Sequence, residues 1–101
     1  MENNLLDFKE INGVVYGTLS GRLDTVAAQS TDISEFIANA DKKILFDCSE
    51  LNFISSAGLR LFLILFKECR GKGGSITLKS VSPSVMRVFQ ISGFTNMMEI
   101  I

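Results

Sequence analysis

The residues that could do chemistry in this chain are concentrated in one stretch, Asp47-Cys48-Ser49-Glu50-Leu51-Asn52-Phe53-Ile54-Ser55-Ser56-Ala57-Gly58-Leu59. It reads as a strand end, a short loop, and then serines opening a very apolar helix. A hydroxyl at a helix start has two uses. It can accept a hydrogen bond from an unpaired amide, which stabilises the helix by ~1 kcal/mol. It can also carry a phosphoryl group, because the free amides and the helix dipole stabilise an anion there. Phosphate on Ser56 would add about -1.5 to -2 charges. The fold should tolerate that charge, whereas a docked partner is expected to be repelled by it. These residues taken alone leave both uses open.

Other reactive groups are sparse. Asp7, Asp24 and Asp47 are candidates for carboxylate chemistry, but no base, metal triad or nucleophile elbow accompanies them. The chain has no histidine, so the commonest general base and the commonest metal ligand are both missing. Gly71-Lys72-Gly73-Gly74-Ser75 lacks the spacing of a phosphate-binding loop and follows a helix instead of a strand. Asp24, next to a helix start, reads as a cap. Cys48 and Cys69 are the only cysteines and read as reduced, buried thiols. Together these features argue against an enzyme.

The elements that must position the serines follow from patterning. Leu6 and Phe8 alternate with Asp7 and Lys9 as in a half-buried strand. Asn12-Gly13 supplies a hairpin turn, and Val14 to Leu19 gives a second strand ending at Ser20-Gly21. Helical spacing over Asp24 to Ala40 puts Val26, Ile33, Ile37 and Ala40 on one stripe, with Asp24 or Thr25 as cap. Ile44-Leu45-Phe46 is a strand apolar on both faces. A second helix begins around Ser56 or Ala57 and runs to about Arg70, with Gly71, Gly73 and Gly74 supplying its exit. Ile76 to Leu78 is a further strand. Ser82-Pro83 opens a third helix with Val85, Val88 and Phe89 inward; Gly93 ends it, and Met97 to Ile101 reads as a last strand.

After the hairpin, strands and helices alternate, which favours parallel pairing through right-handed crossovers. The expected fold is therefore α/β: a single-layer mixed sheet with an N-terminal antiparallel hairpin, and helices packed against it. At 101 residues and 47% hydrophobic content this is one globular domain, residues 1–101. The formal charge of -1 asks for neither nucleic acid nor an anionic membrane as partner. The N-terminus lacks the features of a signal peptide, and Leu61 to Phe66 falls far short of the ~20 apolar residues that span a bilayer. A cytoplasmic protein is expected.

On the second helix, Ser56, Arg60, Leu63, Ile64 and Lys67 share one face at spacings of four, seven, eight and eleven. Gly58, Leu59, Phe62, Leu65, Phe66 and Cys69 make the opposite, wholly apolar face, which is the core. The first face mixes cations with large aliphatics. It suits a protein–protein contact with Ser56 at its edge, although a neighbouring loop covering Leu63 and Ile64 would account for the aliphatics equally.

At this point the sequence resembles a known family. Asp47-Cys48-Ser49 through Gly58-Leu59 resembles the signature of STAS domains, specifically the bacterial anti-sigma-factor antagonists. Gly21-Arg22-Leu23-Asp24, followed by a helix with Ala27 and Ala28, resembles the family's Gly-x-Leu-Asp turn. Val88-Phe89-Gln90-Ile91-Ser92-Gly93-Phe94 resembles its late helix-end segment. The likeness spans nearly the whole chain and implies a STAS-like fold with neither cofactor nor metal.

The resemblance also implies a mechanism. The unphosphorylated antagonist binds an anti-sigma factor that is also a serine kinase; phosphorylation of one serine weakens the complex, and a metal-dependent serine phosphatase reverses the mark. The phosphorylated serine corresponds to Ser56, two residues before the glycine of the motif. Asp24, Ser55, Ala57 and Gly58 surround it, and Arg22, Arg60, Leu63, Ile64 and Lys67 become the expected partner-binding residues.

The sequence departs from the family pattern in several places. Ser55 stands where aspartate is frequent, Ala57 where serine or threonine is frequent, and Arg22 where glutamate is common. Many relatives continue past the last strand into another helix, so that helix is expected to be missing here or replaced by a partner. A role as a STAS scaffolding subunit of a transport or signalling complex, without a phosphorylation cycle, is the alternative. For a nucleotide-sensing variant the sequence offers no dedicated residues.

Overall fold

A computed structural model describes residues 5–101, with side chains from residue 8 onward. The chain opens with β1 (Leu5–Ile11) and β2 (Val14–Leu23), an antiparallel pair joined at Asn12-Gly13. Both turn residues take positive φ, 52° and 81°, the twist a two-residue hairpin needs. Then follow α1 (Thr25–Ser30), α2 (Ser34–Ala38), β3 (Lys43–Ile54), α3 (Ser56–Lys72), β4 (Ser75–Lys79), α4 (Pro83–Ser92), a 3-10 turn over Phe94–Asn96, and β5 (Glu99–Ile100). The sheet runs in the order β1-β2-β3-β4-β5, parallel after the first pair. Successive crossovers all step in one direction, so right-handed connections stack the helices on one face. The expected architecture is the one observed.

The core lies between that face and the helices. Val15 and Leu19 of β2, Ile44, Phe46 and Cys48 of β3, and Phe62, Leu65 and Cys69 of α3 are buried, as are Val85 and Phe89 of α4. A continuous line of rings crosses it. Phe8–Phe36, Phe36–Phe46, Phe46–Phe62, Phe62–Phe89 and Phe89–Phe94 have centroid separations of 5.3, 5.1, 5.6, 6.0 and 5.9 Å. These are distances at which aromatic pairs attract. The line ties the edge hairpin through the sheet to the C-terminal segment.

Four expectations need correction. The single helix over 24–40 is two short ones. Thr31 Oγ1 donates to the Ala27 carbonyl at 2.6 Å and Asp32 Oδ1 accepts from Ser34 N–H at 2.9 Å, and such local bonds compete with continued helix. The break rotates the stripe, so Val26 is 67% exposed and Ala28 is buried in its place. Next, β3 does not end at Phe46 but stays extended to Ile54, because Glu50, Leu51, Phe53 and Ile54 pair with Ser20 to Leu23 of β2 across two register shifts. β2 likewise continues past Ser20-Gly21 to Leu23. Finally, Met97 to Ile101 contributes only Glu99–Ile100 as strand. The alternation expected of Leu6 and Asp7 falls on side chains outside the described ones; Phe8 is half-buried.

Candidate functional site

The end of β2 and the start of α3 are bonded together through one carbonyl. Leu23 O accepts from Ser55 N–H at 2.9 Å and from Ser55 Oγ at 3.2 Å. Ser55 Oγ in turn accepts from Gly58 N–H at 3.2 Å, so Ser55 caps α3. Sequence reading allowed Ser56 that role; it belongs to Ser55. Ser56 is the first helical residue, exposed, and its hydroxyl has no hydrogen bond among the described residues.

Asp24, the residue after Leu23, caps α1 by accepting from Ala27 N–H at 2.9 Å. The starts of α1 and α3 therefore share one rim. Gly58 makes the approach possible. A Cβ there would lie 2.9 Å from the Leu23 carbonyl oxygen, from Leu23 Cγ and from Ile54 Cγ1, closer than real Cβ contacts come. Ala57, between Ser56 and Gly58, is half-buried.

Arg22 is also on this rim. It is the register partner of Phe53, and its guanidinium carbon sits 4.2 Å from the centre of the Phe53 ring. Phe53 is 37% exposed, a large aromatic at the surface that sequence reading did not single out. Carrying the strand on to Ile54 would have revealed it, since alternation turns Phe53 outward once Ile54 points in.

The outer face of α3 carries the other expected docking residues. Arg60 and Lys67 are exposed, Ile64 is 40% exposed and Leu63 is half-buried. Gly58, Phe62, Leu65 and Cys69 are buried on the opposite face, while Leu59 and Phe66 are partly so. The ion pairs among the described residues are Lys42–Asp41 and Lys72–Glu68, so no carboxylate there pairs with Arg22, Arg60 or Lys67. Val26, displaced outward on α1, adds to the exposed apolar area. Apart from Asp24 these positions are cationic and apolar, and Ser56 adds a hydroxyl with no hydrogen bond among the described residues.

The remaining reactive side chains serve the fold. Burial, with the Asp47 charge adding to it, pushes the Cys48 thiol up to about 12, and burial raises Cys69 as well. Both are free thiols. The Ser49 backbone N–H, with its hydroxyl, holds the Asp47 carboxyl below its usual value. Groups of three or more His, Cys, Asp or Glu able to hold a metal do not occur among the described residues. None of the described helices is long and apolar enough to cross a membrane.

A five-stranded mixed sheet with helices on one face and a paired helix-start rim defines a small α/β domain class, and comparison with known proteins gives it a family. The STAS domain model matches residues 6–101, so the chain belongs to the STAS domain family. It is 35% identical over 92 residues to the "Putative anti-sigma factor antagonist BtrV" of Bordetella bronchiseptica, covering 88% of this chain and 78% of that one. An anti-sigma-factor antagonist (STAS) domain protein from Planctomyces limnophilus superposes with a TM-score of 0.81 at 20% identity, over 93% of this chain and 86% of that one. The Bacillus cell fate determinant SpoIIAA in its phosphorylated form superposes with a TM-score of 0.68 at 27% identity, over 94% and 89%.

Proposed function

We propose that this chain is an anti-sigma factor antagonist working as a phosphorylation switch. With Ser56 unmodified it binds an anti-sigma factor that is also a serine kinase. Phosphorylation of Ser56 releases it, and a serine phosphatase restores the binding form. It acts by occupying a partner in the cytoplasm rather than by turnover. The observation that carries this reading is the contrast between two neighbours. Ser55 Oγ is engaged by Leu23 O and Gly58 N–H, whereas the Ser56 hydroxyl is exposed and unbonded among the described residues. The family and the naming of BtrV support the antagonist role. Arg22, Arg60, Leu63, Ile64 and Lys67 are the proposed docking residues, with Phe53 added beneath Arg22.

Incubation with ATP and a candidate anti-sigma kinase, followed by site mapping by mass spectrometry, tests the substrate half. One phosphate on Ser56, absent in Ser56→Ala, is expected. Phosphate on Ser55 alone would reject the assignment, and no phosphate from a kinase that binds the chain would favour a constitutive scaffolding role.

A further inference from the structure

Arg60 stands four residues beyond the proposed acceptor and Arg22 at the strand end to which its neighbour Ser55 is bonded, and neither has an acid partner among the described residues. Arg60 is four residues beyond Ser56 on α3, a spacing that puts Cβ atoms about 5–6 Å apart. Helical side chains lean back over the preceding turn, which carries Arg60 toward Ser56. Arg22 lies at the end of β2 beside the start of α3. Its register partner Phe53 is three residues before Ser56, and the next residue, Leu23, is hydrogen-bonded to Ser55. Arg22 currently rests on the Phe53 ring.

Resting on the reading of Ser56 as acceptor, we propose that Arg22 and Arg60 form a cradle for the phosphoryl group of phosphorylated Ser56, with Arg22 leaving the Phe53 ring to join it. Magnitudes favour the exchange. An exposed cation–π contact is weaker than a hydrogen bond to a charged group, and guanidinium can offer a phosphate two such bonds at once. Asp24, the carboxylate on the same rim, opposes the anion but already accepts from Ala27 N–H. The exchange alters the docking surface twice over. Two cations are neutralised, Arg22 moving from its place to do so, and the Phe53 ring loses its cover. Release of a partner then follows from cancelled charge complementarity, with no movement of α3 required.

The test needs no kinase. Phosphoserine is installed at position 56 during translation, and the phosphoryl group is titrated by phosphorus NMR. Cations favour the dianion, so its second ionisation is expected about one unit below the ordinary value near 6. Arg22→Gln and Arg60→Gln should each restore part of that displacement, the helix start holding the remainder. Lys67→Gln, eleven residues along α3, should leave it in place. An ordinary value in the wild-type chain, or arginine variants that titrate like it, would overturn the cradle, as would a Lys67→Gln effect equal to theirs. Failure of a kinase to mark Ser56 would instead sink the switch reading, and this titration would be unaffected by it.

Discussion

Ser55 and Ser56 are consecutive, yet their hydroxyls have opposite surroundings. Ser55 Oγ donates to the Leu23 carbonyl at 3.2 Å and accepts from Gly58 N–H at 3.2 Å. Ser56, one residue on, is exposed at the first helical position. On the proposed function, the capping use and the modification use of a helix-start serine are divided between two residues. Substitution should separate them. Ser55→Ala should lower unfolding free energy by about 1–2 kcal/mol in urea titrations, with phosphorylation at Ser56 preserved. Ser56→Ala should stay within about 0.5 kcal/mol of wild type and lose the phosphate. Equal stability loss in the two variants would contradict the division.

Gly58 sets how closely α3 approaches β2. Alanine in a helix interior normally gains about 1 kcal/mol over glycine. Here its methyl would collide with the Leu23 carbonyl, which is backbone and cannot swing aside. Overpacking costs about 1–3 kcal/mol, so the collision outweighs the helical gain. Gly58→Ala is expected to be destabilised in thermal melts; a raised Tm would show that the rim yields.

The outer face of α3 should matter to binding and not to folding. Ile64 is 40% exposed, so Ile64→Glu should change stability by less than about 0.5 kcal/mol. If this face docks, affinity for the anti-sigma kinase should fall at least about tenfold, the effect of losing roughly 1.4 kcal/mol at an interface. Calorimetric titration of the folded variant checks this, and unchanged affinity would remove Ile64 from the interface.

The two thiols should be silent in the folded protein. Cys48 is pushed from an ordinary 9.0 to about 12 by burial and by Asp47, so the folded state favours the neutral thiol. Its contribution to stability is therefore complete below pH 9 and is lost progressively as pH rises toward about 12. Iodoacetamide at pH 8 should label neither cysteine natively and both in denaturant. Rapid native labelling of Cys48 would contradict its burial.

Much of this was legible in the residues. Asn12-Gly13 marked the hairpin, Ser82-Pro83 and Gly93 bounded α4, and the two faces of α3 fell as its spacing dictated. What escaped depended on pairing and on local competition. Asp47 to Ile54 looks like a loop because Ser49, Glu50 and Asn52 are polar, and only the partner strand β2 keeps it extended. That hid Phe53, and with it the contact of Arg22. The choice of Ser55 over Ser56 as cap turns on where the first helical turn closes, a shift of one residue that periodicity does not resolve. The outward turn of Val26 follows from the Thr31 and Asp32 side chains bonding to nearby backbone, which a stripe of apolar positions does not register.

The central claim is that one phosphate on Ser56 decides whether the chain is bound. The most direct measurement is the Kd for the anti-sigma kinase, taken on the unmodified protein and again after stoichiometric phosphorylation at Ser56. Loss of at least about 1.4–3 kcal/mol, tenfold or more in Kd, is predicted, with circular dichroism unchanged. Equal affinity of the two forms would contradict the switch.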